Sequence, residues 1–269
     1  MSSGNHYEQN LQADNIISRV QQAYPNGADQ YQLAPIDQLH IGGIKASQKL
    51  LKHLTDGELV LEIGSGLGGL MRLAQQQNNL QIIGLDISHG LNKLNCVLAG
   101  LSITKAPTTV ITGDAHLLPF SENCFDSIIL QHSLLNMPNP TQVLNECLRV
   151  LQPKGKLILH EVLEGENVAE MKFPVPWAEK ESGSHLMQET ELKALIVDAG
   201  FELEGFSDWS TEALEWRKRQ ASKEQTVKNL SPVVSPAMVL GDQFSLMAGN
   251  LMRNLSGQSI RVVELVLKK

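Results

Sequence analysis

Two rhythms of apolar and polar positions run along this chain, and from about Gly57 to Glu161 they alternate with each other. Short apolar runs read as strands at Leu59–Ile63, Gln81–Leu85, Thr108–Ile111, Ser127–Leu130 and Lys156–His160. Helical patterns fill the gaps at Gly68–Gln77, Ser88–Ala99 and Thr141–Leu151, the last ended by Pro153 and Gly155. The strands are continuously apolar rather than alternating, so both faces are buried. That is the pattern of a parallel, doubly wound α/β sheet.

The C-terminal third breaks the rhythm. Glu191–Ala199 reads as a helix with Thr190 as N-cap and Gly200 as its stop, and Phe201–Phe206 as a sixth strand. A long polar helix is expected over Thr211–Lys228. Another follows Pro236, where Leu240, Phe244, Met247, Ala248, Leu251 and Leu255 share one face. The chain closes on Ile260–Leu267, a seventh strand reached by a long excursion and therefore able to enter the sheet antiparallel. Ahead of Gly57, helices are expected at Ala13–Tyr24 and Ile44–Leu54, joined by a loop containing Pro and Gly. No internal repeat or low-complexity tract is visible.

Composition narrows the function classes. With 42% apolar and 19% charged residues over 269, the balance is that of an ordinary globular chain. No apolar run approaches the ~20 residues of a membrane span, and Met1–Asn10 lacks the apolar core of an export signal. Cys96, Cys124 and Cys147 form no CxxC pair, so neither a metal site nor a disulfide framework is expected, which suits the cytoplasm. A net charge of -7 disfavours nucleic acid as a partner. Arg217-Lys218-Arg219 reads as a solvated helix face.

The candidate chemistry centres on Leu61-Glu-Ile-Gly-Ser-Gly-Leu-Gly-Gly69, which leaves a strand and opens a helix. Gly64 and Gly66 permit a tight turn and let a ligand approach the backbone closely. The spacing of Gly64, Gly66 and Gly69 also satisfies GxGxxG, so a dinucleotide is the competing ligand. Three features weigh against it. Glu62 stands where a cationic amino-acid ligand is well served by a carboxylate. Asp114, in Gly113-Asp-Ala-His-Leu-Leu-Pro-Phe120, can accept from an exocyclic adenine amine after the third strand. The C-terminal excursion and last strand do not match the second half of a dinucleotide fold.

Together with Gly84-Leu-Asp-Ile-Ser88 and Arg149-Val-Leu-Gln-Pro-Lys-Gly-Lys156, these segments resemble the successive motifs of class I S-adenosylmethionine (SAM)-dependent methyltransferases, from about Ile41 to Glu161. The resemblance implies a Rossmann-like sheet of seven mostly parallel strands with an antiparallel last strand, plus N- and C-terminal helical caps. It implies SAM as cofactor and S-adenosylhomocysteine (SAH) as product. Glu62 and the backbone of Gly64, Ser65, Gly66 and Gly68 would then hold the methionine end. Asp86 would take the ribose hydroxyls, Ile87 the adenine face, Asp114 and Ala115 the adenine edge, and Gln131 a backbone contact near the sulfur. Upstream, Asp37-Gln-Leu-His-Ile-Gly-Gly43 resembles a loop of sarcosine/dimethylglycine N-methyltransferases, with a similar Gly-Gly stretch in sterol and tocopherol C-methyltransferases. In those relatives it closes over the cofactor, which would bring in Gly43 and, just upstream, Tyr31. On this division residues 1–56 are a helical lid, 57–165 the SAM-binding core, and 166–269 an insertion, helical excursion and final strands, all one continuous domain.

Methyl transfer to a small molecule requires neither a nucleophilic residue nor a metal, only alignment in a water-poor pocket and, for some acceptors, a base. Acceptors of this fold sit beyond the C-terminal strand ends. His132 and Glu161 are the expected catalytic contacts, with His132, Trp177, His185 and Trp209 lining the acceptor space. Phe173–Ala178 and Ser182–Ser184 read as a mobile cover. The first expectation for the acceptor is a small amine, with a quinone, sterol or phenolic compound methylated on carbon or oxygen as the alternative. A non-catalytic SAM-binding protein is the rival from another class. A monomer or homodimer is expected.

Overall fold

The structure, a computed structural model, describes residues 8–77, 80–104, 108–226 and 232–269. Three helices precede the sheet: α1 (Ala13–Ala23), α2 (Gln30–Asp37) and α3 (Ile44–Leu51). The core then alternates as expected: β1 (Leu59–Ile63), α4 (Gly69–Gln77), β2 (Gln81–Asp86), α5 (His89–Leu101), β3 (Thr109–Thr112) and β4 (Phe125–Gln131). After β4 come a short 3-10 turn at Leu134–Asn136, α6 (Pro140–Val150) and β5 (Leu151–Glu164). The C-terminal third supplies α7 (Glu189–Ala199), β6 (Glu202–Asp208), α8 (Ser210–Thr226), α9 (Ala237–Leu240), α10 (Phe244–Ser256) and β7 (Ile260–Lys268).

The seven strands form one sheet in the order β3-β2-β1-β4-β5-β7-β6. Strands β1 to β5 pair in parallel, while β7 runs antiparallel between β5 and β6. The order reverses at β1, whose neighbours are β2 and β4, and that reversal opens the crevice where ligands bind in open α/β sheets. The expected seven-stranded architecture is the observed one.

Local differences have local causes. The stretch read as a loop before Ile44 contains α2. Asp29 accepts from the N–H of Tyr31 and Gln32, and the Gln32 side chain answers the Asp29 N–H, a capping box that starts the helix despite Pro35. Helix α7 starts two residues early, so Gln188, not Thr190, is its N-cap. Strand β5 extends well beyond Lys156–His160 because the long β7 pairs with it as far as Glu164↔Ile260. The expected end of the polar helix at Val227-Lys228 lies outside the described residues.

The buried side chains fall into clusters on the two faces of the sheet. One combines Ile41, Leu135, Val162, Val175, Trp177, Trp209 and Leu251. It joins residues of the upstream loop, the turn after β4, the end of β5 and the C-terminal helices.

Candidate active site

The glycine loop turns on residues with positive φ: Gly64 at 78°, Gly66 at 51° and Gly68 at 76°. A Cβ on Gly64 would stand 2.5 Å from the Cβ of Ser133, so the loop and the turn after β4 touch there. Gly66 has nothing within 4 Å of that position, leaving its outer face open to a ligand. Its N–H donates to Asp86 Oδ2 at 2.9 Å, while the Ser88 N–H donates to Oδ1 at 2.9 Å. Asp86, at the end of β2, therefore pins the loop as well as facing it. Burial raises its carboxyl above the usual range, against those two N–H donors.

Glu62 is buried, and its Oε2 has no hydrogen-bond partner among the described residues; nor has the buried Oγ of Ser65. Burial pushes Glu62 up to about 8. Arg72 pulls the other way, and the carboxylates of Asp86 and Asp37 add to the rise. A buried carboxyl without a partner is a costly group, and a ligand cation would relieve it. Downstream, Ile87 is 45% exposed, as a platform for a flat ring would be, while Ala115 is buried. Asp114 accepts from the His116 N–H at 2.9 Å and pairs with His116 Nδ1 at 2.6 Å. Partial burial works against ionisation of Asp114, yet His116 holds its carboxyl below the usual value.

The upstream segment is fastened to this loop by residues the sequence reading passed over. Arg72, on α4, pairs with Asp37 at 2.7 Å, donates to Asn95 Oδ1 at 3.0 Å, and bonds the carbonyl of Leu67. Beyond it, Ser47 Oγ on α3 lies 2.8 Å from Gln38 Oε1, 3.1 Å from Gln131 Oε1 and 3.2 Å from His40 Nε2, with one hydroxyl proton to share among them. Gly43, at φ 52°, is the N-cap of α3, and His40 Nε2 lies 3.1 Å from its carbonyl. Tyr31, by contrast, is 65% exposed on α2.

At the acceptor end the strand tips bring three imidazoles together. His132 stacks on His160 with centroids 5.0 Å apart, His40 stands 6.0 Å from His132, and Trp209 meets His160 edge-on at 5.2 Å. Burial keeps all three histidines neutral: His40 is lowered to about 4, His160 to about 3, and His132 well below its ordinary value. Trp177 packs in the same apolar cluster as Trp209 and donates to Ser184 Oγ at 3.3 Å. His185 is exposed and makes no contact with this group among the described residues.

Glu161 does something other than face an acceptor. Its oxygens accept from the N–H of Ser133 at 3.0 Å, Leu134 at 2.9 Å and Leu135 at 3.4 Å, so it anchors the turn after β4. Burial lifts its carboxyl to about 8 in spite of those three donors. Its neighbour His160 points to the opposite face of the strand, against His132 and Trp209.

A family profile described as a methyltransferase domain matches residues 61–159. The demethylmenaquinone methyltransferase of Thermotoga maritima is 35% identical over 107 residues, covering 39% of this chain and 44% of that protein. That of Symbiobacterium thermophilum is 32% identical over 111 residues, 40% and 44% of the two chains. The aligned stretch thus spans less than half the length of these curated relatives. Among solved structures, the 4+2 cyclase SpnF superposes with a TM-score of 0.67 at 20% identity, covering 100% of this chain and 97% of its own. A sarcosine dimethylglycine methyltransferase described as putative, from Galdieria sulphuraria, gives 0.66 at 17% identity over 84% and 86%. Phosphoethanolamine N-methyltransferase 2 of Haemonchus contortus with SAM gives 0.70 at 18% identity over 89% and 55%. These likenesses show the fold, and the profile matches residues 61–159 to a methyltransferase domain.

Proposed function

We propose that this chain is a SAM-dependent methyltransferase acting on a small-molecule acceptor. The observation that carries the reading is the unpartnered, buried Glu62 Oε2 beside the open Gly66 and the Asp86 carboxylate. SAM supplies an electrophilic methyl group on a positively charged sulfur. Glu62 would hold its ammonium, Asp86 its ribose hydroxyls, Ile87 its adenine face, and Asp114 and Ala115 the adenine edge. Gly64, Ser65, Gly66 and Gly68 would give the backbone approach, with the main chain of Gln131 near the sulfur. The fold alone does not carry this reading, since one similar structure is named a cyclase.

The protein's work in such a reaction is positioning and exclusion of water, an effect worth up to ~7–11 kcal/mol. Here the wall of Ile41, Leu135, Trp177 and Trp209 would exclude water, and Glu161 would hold the Ser133–Leu135 turn against the glycine loop. The loop at Asp37–Gly43 supports an amine as acceptor. The charges support the alternative. Glu161 is committed to backbone, and Glu264 is paired with Lys49 at 3.4 Å and His53 at 3.0 Å, so neither carboxylate is free to balance an ammonium. The charge balance therefore favours an uncharged acceptor of quinol or phenol type, the class in which the curated relatives' names fall.

A methyl-transfer assay with labelled SAM over amines, phenols and quinols tests the proposal. Transfer to a phenol or quinol is expected. Transfer to amines alone would reverse the choice of acceptor, and binding of SAM without turnover on any of them would favour a non-catalytic SAM-binding protein.

A further inference from the structure

We propose that His160 is the residue that determines acceptor specificity, and that with His132 and Gln131 it selects an acceptor bearing an uncharged hydroxyl or carbonyl. The inference rests on the methyltransferase reading and extends it to a residue outside the expected site. His160 is completely buried, in register with Gln131 across the β4–β5 pair at the ligand-binding end of the sheet. Neither of its ring nitrogens has a hydrogen-bond partner among the described residues, and the same holds for His132 Nε2 and Gln131 Nε2. Four buried polar atoms left unpaired on two adjacent strand ends are an exception to a strong rule, and a polar ligand group is what would satisfy them.

The backbone points the same way. His132 adopts φ 53°, a left-handed conformation that a non-glycine residue rarely holds, and the turn that follows is clamped by three N–H bonds to Glu161. Strain maintained by such over-determined surroundings is characteristic of functional positions. It sets the His132 ring flat against His160, 25° from parallel.

The chemistry of these atoms sets the ligand class. A neutral imidazole offers one donor and one acceptor, and the Gln131 amide offers donors. A hydroxyl matches a donor and an acceptor together; a carbonyl takes the donors. Lys49, Glu264 and Glu161, the charged groups beside the cluster, are held in ion pairs or by backbone N–H groups. Lys49 lies over the Trp209 ring at 4.4 Å and pairs with Glu264, which also takes His53, while Glu161 faces the backbone. An ammonium would enter beside Lys49 with no free carboxylate, at the full cost of its desolvation. Burial first, and then the positive charge of Lys49, hold His160 neutral, consistent with an uncharged guest.

The test uses protein labelled with isotope in histidine and saturated with SAH, titrated with phenol or with benzylammonium as probes. His160→Phe keeps a flat ring between His132 and Trp209 and identifies the His160 signals by their loss. His160→Gln restores polar atoms and serves as the conservative variant. Phenol is expected to shift the His160 and His132 ring-nitrogen signals, and benzylammonium is not. Phenol affinity should fall about tenfold in His160→Phe, the loss of one hydrogen bond, and recover in part in His160→Gln, with SAH affinity unchanged in both. The proposal is overturned if SAH binds and benzylammonium alone shifts these signals, if neither probe does, or if His160→Phe binds phenol as well as the parent. Failure to bind SAH removes the methyltransferase reading itself, and the inference with it.

Discussion

Arg72 Nη2 lies 2.7 Å from Asp37 Oδ2, and both side chains are 3% exposed. The guanidinium on the helix after the glycine loop is thus answered by a carboxylate from the segment ahead of the core, and the same guanidinium grips the carbonyl of Leu67 within the loop. Removing one partner of a buried pair leaves an uncompensated charge, so Asp37→Ala should destabilise the protein by about 3–5 kcal/mol. Urea unfolding measures this. A loss below about 1 kcal/mol would mean that the pair does not fasten the upstream segment to the loop.

Glu62 should make donor affinity depend on pH. Its carboxyl sits at about 8 in the free protein, while the donor's ammonium needs it ionised. As pH falls below 8 binding must first remove a proton, so SAH affinity should weaken by up to about tenfold per pH unit. Calorimetry from pH 6 to 8 reads the slope. Glu62→Gln should bind SAH about tenfold or more weakly at pH 8 and lose the slope. A profile that is flat in the parent protein would remove Glu62 from the ammonium site.

The same groups predict how stability varies with pH. Glu62 and Glu161 have folded values near 8 against an ordinary 4.5, so the native state binds more protons than the unfolded chain between those limits. Stability from these two is full at low pH and is lost as pH rises towards 8. His40 and His160 act in the opposite sense. Their folded values of about 4 and 3 lie below 6.5, so their contribution is lost as pH falls below 6.5. Between pH 4.5 and 6.5 the two pairs offset each other, so the melting temperature should be level there and fall from pH 6.5 to 8, and Glu62→Gln should flatten that fall. A melting temperature that rises from pH 6.5 to 8 would contradict the burial of both carboxyls.

Asp86→Ala should weaken SAH binding by about 1.5–3 kcal/mol, because it removes charged hydrogen bonds and frees the Gly66 N–H that holds the loop. Calorimetric affinities of parent and variant decide it. An unchanged affinity would mean that the end of β2 is not the ribose site.

The proposed donor half of the site is legible in the sequence because it is carried by glycines and carboxylates at fixed offsets from strand ends. Glu62, Gly66 and Asp86 stand where the strand pattern put them. The acceptor half was legible only in outline. His132 is a candidate from the sequence because it follows a strand directly. Which of His160 and Glu161 faces the cluster depends on the alternation of sides along β5, and a one-residue difference exchanges them. Choosing between them needed the register with β4 and the turn that Glu161 anchors. Arg72 and Ser47 escaped notice because their partners, Asp37 and Gln131, lie far away along the chain. The capping box at Asp29 starts a helix that the sequence pattern does not show, and it carries the Tyr31 ring into solvent.

The central claim is that the crevice at β1 and β2 takes SAM rather than a dinucleotide. Calorimetric titration of the purified protein with SAH and, separately, with NADH tests it most directly. Saturable binding of SAH at one site and no heat of binding from NADH are expected. Saturable binding of NADH with none of SAH would contradict it.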